Sequence, residues 1–217
     1  MNRTGNIYLI WRKGQGSRRI PVGVLKKNAT EGVRFNYLNK NLELANNEGF
    51  LPFTGFPETD KEYRINVLEI LSQRLVKTER NDLSEYYEFW KIDKEKKHDS
   101  WYMLAQTQGL LPIDNFEFLA DFHPIKGLNF ISEIAGLTKS KIDSKELNVG
   151  DKLSYELETQ NKFDKYAVKL LRNDLVLGYV KLIHSKIFYK SKHKIDIRVH
   201  HIESNGVLKR VFIDLKL

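Results

Sequence analysis

The stretch GDKLSYELETQNKFDKYAV at positions 150–168, followed by VLGYVK at 176–181, is the most informative in the chain. Leu153 to Glu158, Ala167 to Leu171 and Leu175 to Lys181 read as short strands, with Asn161 to Asp164 as the turn between the first two. That turn sets an aromatic ring, Phe163, beside a carboxylate, Asp164. A second aromatic, Tyr179, follows Gly178 on a later strand. An aromatic face offers a stacking surface for an unpaired base, worth about 1–3 kcal/mol per base. A carboxylate accepts a hydrogen bond from a sugar hydroxyl, such as the free 3′-OH of a strand end, and repels a phosphate. The same residues also have an ordinary role open to them: Asp164 as a turn cap, Phe163 and Tyr179 as core.

Working outward, Leu128 to Ile134, Ile195 to Ile202 and Val211 to Leu217 are three further strand candidates. Ile195, Ile197 and Val199 share one face, and Asp196, Arg198 and His200 the other. Val211, Ile213 and Leu215 repeat the alternation near the end. Short strands separated by Asn, Asp and Gly turns predict a small β-barrel, interrupted by a helical stretch around His184 to Tyr189. Pro124 to Gly127 marks a break, so the chain is expected to divide into residues 1–126 and 127–217.

The first half follows a different pattern. Ile7 to Trp11, Ile20 to Leu25 and Val33 to Leu38 read as a β-meander, with Gly14-Gln15-Gly16-Ser17 as the first turn. Thr59 and Glu62 have capping-box spacing, predicting a helix that buries Leu68, Leu71 and Leu75. Leu83 to Trp90, after Asn81-Asp82, reads as a second helix, Asp93 to Ser100 as a charged loop, and Trp101 to Ala105 as a buried strand. The fold class expected is α+β: a meander with helices, then a small β-barrel.

Composition narrows the function classes. With no cysteine there is no disulfide, thiol nucleophile or thiolate metal site. The six histidines lack metal-finger spacing, and His200 and His201 point to opposite faces of one strand. No phosphate-binding Gly-Lys-Ser/Thr loop, HExxH or GxSxG is present, so no catalytic residue, metal or cofactor is expected and the protein reads as a non-enzyme. The apolar run near the N-terminus, Ile7 to Trp11, is too short for a membrane span or signal core, so a cytoplasmic protein is expected. Formal net charge is +8, and its distribution is uneven: residues 127–217 hold 17 Lys/Arg against 11 Asp/Glu. Lys181, Lys186, Lys190, Lys192, Lys194 and Arg198 fall within eighteen positions against Asp196 alone, a segment that would attract a polyanion.

Gly150-Asp151, Asn161, Phe163-Asp164, Ala167-Val168 and Gly178-Tyr179-Val180, with FISEIAG at 130–136 upstream, resemble the HIRAN signature in order over residues 127–217. The resemblance implies an OB-like or SH3-like β-barrel of a family found alone in bacteria or fused to helicases and nucleases. It implies binding of single-stranded DNA or 3′ strand ends, with Phe163 and Asp164 at the terminal nucleotide and Tyr179 and Lys181 lining the same pocket. Lys186, Lys190 and Lys192 join the expected DNA-binding set on charge. The sequence departs from the fork-remodelling type after Gly136, where Leu137-Thr138-Lys139-Ser140 replaces an aromatic pair. That departure bears on 3′-end specificity rather than on DNA binding.

The first half, through Ile7 to Trp11, Val22 to Leu25, Val33 to Tyr37 and NVLEIL at 66–71, is similar to the N-terminal subdomain of HipA-type toxin kinases, with Glu69 in place of the usual proline. This implies a protein partner engaged through residues 1–126, and no phosphotransfer is expected because no kinase motif follows. Two functional expectations result: a non-enzymatic DNA-binding adaptor, and an interaction protein of a toxin–antitoxin or phage-defence system that partners a HipA-like kinase.

Overall fold

The computed structural model describes residues 4–77, 83–137 and 141–217; the expected Asn81-Asp82 turn and Thr138 to Ser140 lie outside the described residues. The chain divides into two units, one ending at Asp121 and the other running from Phe122 to Leu217.

In the first unit, β1 (Thr4–Trp11), β2 (Ile20–Asn28) and β3 (Gly32–Tyr37) form the expected antiparallel meander. A strand with no counterpart in the sequence reading, β4 (Phe116–Phe122), adds beside β1 to give the order β3-β2-β1-β4. Among the described residues, α1 (Asn39–Asn47), α2 (Val67–Leu71), α3 (Ser84–Phe89) and α4 (Ser100–Thr107) accompany the sheet. The core is aromatic. Phe35 stacks on Phe56 at 4.3 Å, and the Tyr37 hydroxyl donates to the Phe56 carbonyl at 2.7 Å while accepting from the Phe53 amide at 2.9 Å. Arg74 is buried between the rings of Phe53 and Phe118, at 5.5 and 5.4 Å, and its guanidinium is satisfied by Asp114 and by the carbonyls of Gly109 and Phe116. A buried cation held this way is both paired and hydrogen-bonded, as desolvation requires.

Two expectations for this unit are corrected. No helix begins at Thr59: the amide and carbonyl of Tyr63 exchange hydrogen bonds with Phe35 at 2.9 Å, so that stretch extends the edge of the sheet. The helix proper starts only after Asn66, which has a left-handed φ of 54°, and passes into a 3-10 turn at Ser72–Arg74. Trp101 to Ala105 is not a strand but part of α4. Asp99 caps that helix by accepting from the amides of Trp101 and Tyr102. The helix is buried from Met103 to Thr107 without a break, which erases the 3.6-residue pattern that would have announced it.

In the second unit all six strand candidates are strands: β5 (Asn129–Ala135), β6 (Ser154–Leu157), β7 (Val168–Arg172), β8 (Leu175–Val180), β9 (Asp196–Asn205) and β10 (Val207–Lys216). The expected helical stretch is α5 (Lys186–Lys190). The sheet is antiparallel in the order β6-β7-β8-β5-β10-β9. Ile195, Ile197, Val199, Val211, Ile213 and Leu215 are all buried, as their alternation predicts. Backbone bonds also join β9 to the segment that leads into β6. The Gly150 amide donates to Val199, Val199 to Asp151, and Leu153 to Ile197, so the segment entering β6 lies against β9. Gly178 has φ +147°, and a Cβ there would meet the Ala135 carbonyl at 2.3 Å. Its place in the GYV run is therefore set by the close approach of β5 and β8. Among the described residues no helix is long and apolar enough to cross a membrane.

Candidate nucleic-acid interface

The β6–β7 connection is shaped by its own side chains. The Asn161 carboxamide oxygen accepts from the amides of Phe163 (2.9 Å) and Asp164 (3.1 Å), and its Nδ2 donates to Glu158 Oε2 at 2.7 Å. Asp164 Oδ1 accepts from the Tyr166 amide at 2.8 Å, and the Ala167 amide closes the turn onto the Asp164 carbonyl at 3.0 Å. These bonds are what Asn and Asp do in turns, where a short side chain stands in for a backbone acceptor. Their consequence is that Phe163 is held outward, 79% exposed, in a loop that cannot collapse over it.

A network of polar side chains joins this loop to the neighbouring strands and to α5. The Tyr179 hydroxyl hydrogen-bonds the Glu158 carboxylate. The Asn161 bond foremost, then that of Tyr179, hold Glu158 below the usual carboxylate range, while Tyr179 is raised by burial and then by this partner. Lys169 lies between Glu156 (3.4 Å) and Glu158 (3.9 Å). The Tyr189 hydroxyl donates to the Ala167 carbonyl at 2.9 Å, and its pKa is raised by burial and then by the Asp164 charge. Its ring meets that of Tyr166 edge-on at 5.3 Å, and two ammoniums, Lys165 at 5.0 Å and Lys186 at 6.0 Å, lie over Tyr166. Phe188 packs on Tyr155 of β6 at 4.8 Å, which fixes α5 to the sheet.

Of the residues singled out from sequence, Phe163 and Asp164 share this loop. Tyr179 joins it through Glu158, and Lys186 through Tyr166. Lys190 and Lys192 are exposed at the end of α5 and just beyond it. Lys181 must be corrected. It is fully buried, with its ammonium 3.0 Å from Glu133 Oε2, and Arg210 reaches the same carboxylate at 3.4 Å. A charge sealed against a partner inside the unit lines no pocket and meets no phosphate. Asp164 does cap its turn, so one of its oxygens has a structural duty. Asp151 is likewise structural: its carboxylate binds the Asn148 amide and Arg172, and these bonds, the amide's first, lower its pKa. Glu158, Lys165, Tyr166, Lys169 and Tyr189 were missed by the sequence reading. The interleaved charges and rings of Lys162 to Tyr166 were the available signal for two of them.

Compared with protein-family models and with curated proteins, the chain matches none. Among solved structures it is similar to the crystal structure of the HIRAN domain of human HLTF, at TM-score 0.32 and 17% identity, over 40% of this chain and 74% of that one.

Proposed function

We propose that the second unit is a non-enzymatic, OB-like single-strand DNA-binding module. In this reading an unpaired base stacks on Phe163 and the free oxygen of Asp164 receives a strand-end 3′-OH. The observation that carries it is an aromatic ring, Phe163, kept in solvent by a hydrogen-bonded loop. Lys165 and Lys186, over the Tyr166 ring of the same loop, supply cations for the backbone. The bonds between the Gly150–Leu153 segment and β9 support a closed, barrel-like sheet. In this reading residues 1–126 serve as a docking unit for a protein partner.

Fluorescence anisotropy with 5′-labelled single strands and duplexes tests the proposal. Phe163→Ala weakens single-strand binding by about 1–3 kcal/mol, the value of one stacked base. Asp164→Asn keeps an oxygen for the Tyr166 amide but removes the charge. It therefore narrows the preference for a 3′-hydroxyl over a 3′-phosphate. Wild-type protein that prefers duplex, or ignores Phe163→Ala, sinks the assignment.

A further inference from the structure

At the end of the β6–β7 ladder away from the Phe163 loop, a cleft of about 440 Å³ opens where β6, the β7–β8 turn and the entry to β9 meet. Leu153 and Ile195 form its buried apolar floor. Lys152, Asn173 and Lys194 line its walls with two cationic side chains and a carboxamide, while Ser154 beside them donates its hydroxyl to the Leu171 carbonyl at 3.4 Å. Its one carboxylate, Asp196, is already engaged by two cations, Lys152 Nζ at 3.4 Å and Arg198 Nε at 3.2 Å. Lys194 has no ion-pair partner among the described residues. Asp151 nearby is neutralised by Arg172 at 2.6 Å, so even with Asp174 in the adjoining turn, cations outnumber carboxylates around the opening. The backbone frames the cleft: Lys152 bridges Arg198, and Asn173 turns β7 into β8 with a left-handed φ of 54°.

We propose that this cleft seats a backbone phosphate of the same single strand whose end rests on Phe163, an inference that depends on the DNA-binding reading of that loop. A phosphodiester fits what the walls supply. It carries one negative charge and two non-bridging oxygens, both acceptors, facing a set dominated by donors. The floor excludes water on one side, which strengthens each of these interactions. Lys186, over Tyr166, begins a run of lysines that continues through Lys190 and Lys192 to Lys194 at the cleft, so one cationic segment joins the two ends of the path. A strand too short to extend beyond the loop leaves the cleft empty.

The test is a salt titration of oligonucleotide binding by anisotropy, with the full chain, a very short and a longer labelled single strand, and the double variant Lys152→Gln/Lys194→Gln. Both side chains are exposed, so the melting temperature is expected to stay put. The double variant weakens the longer strand about fivefold or more, and the slope of log K against log salt falls by about 0.7, the value for one phosphate on a single strand. The short strand binds it as it binds the wild type. Asn173→Asp, which places a carboxylate on the rim and leaves both lysines, weakens the longer strand in the same direction. A double variant with unchanged slope and affinity overturns the cleft alone, provided Phe163→Ala still weakens both strands. Wild-type protein that binds neither strand overturns the loop reading and the cleft with it.

Discussion

In the first unit Phe35, Phe56 and Phe118 are fully buried, whereas in the second Phe163 stands in solvent at the tip of a turn closed by the side chains of Asn161 and Asp164. The buried rings are held by the water they exclude; the exposed ring is held out by hydrogen bonds that have nothing to do with it. Lysines divide in the same way. Lys181 is locked onto Glu133 inside the sheet, while Lys186, five residues on, reaches the surface at Tyr166. Residue type thus says little about role until exposure and partner are known. A ring or a cation that the fold supports but does not bury is the better candidate for a ligand.

The contrast can be broken by mutation. Phe56→Ala removes a ring stacked on Phe35 from a sealed core and is expected to cost about 3–5 kcal/mol, read by urea denaturation. A cost near zero would mean that the first unit is far looser than its packing implies. A smaller effect comes from alkali. Burial pushes the Tyr37 phenol from 10.0 to about 12 in the folded state, partly offset by the Phe53 amide. The unfolded chain releases this proton first, so hydroxide favours unfolding. Stability is unaffected below pH 10 and falls by about 2 kcal/mol as pH rises towards 12. Tyr37→Phe should remove that part of the decline, measured as the change in denaturation midpoint across this range. The smallest effect belongs to Phe163→Ala, which should shift stability by less than about 0.5 kcal/mol while weakening oligonucleotide binding. A large loss of stability would place Phe163 among the structural rings and erase the comparison.

How much of this was legible depended on how locally each feature is encoded. The strands of the second unit are short and punctuated by Asn, Asp and Gly, with alternation clear over Ile195, Ile197 and Val199 and over Val211, Ile213 and Leu215, so each announces itself within six or seven residues. In α4 nearly every side chain is buried and the 3.6-residue period is lost. Strand β4 does carry a period of two, with Phe116, Phe118, Ala120 and Phe122 on one face and Glu117 and Asp121 on the other, and was legible though not read. The 59–66 stretch carries a helix-start pattern overruled by a partner in β3, Phe35, that a local window does not contain. In the candidate interface, Phe163, Asp164 and Tyr179 were visible as types and spacings. Glu158 and Tyr189 were not, because their importance comes from contacts across the sheet and from α5.

The sequence by itself determined the alternation of the second unit, the Asn161-centred turn and the surplus of positive charge, since each depends on residues close along the chain. Only the tertiary structure decided which of those charges face solvent. Glu133 and Lys181 lie 48 positions apart and meet because β5 pairs with β8, and the cleft between Lys152 and Lys194 exists because β9 lies against the entry to β6. Desolvation and ion pairing act through space, and the distances through space are set by strand order.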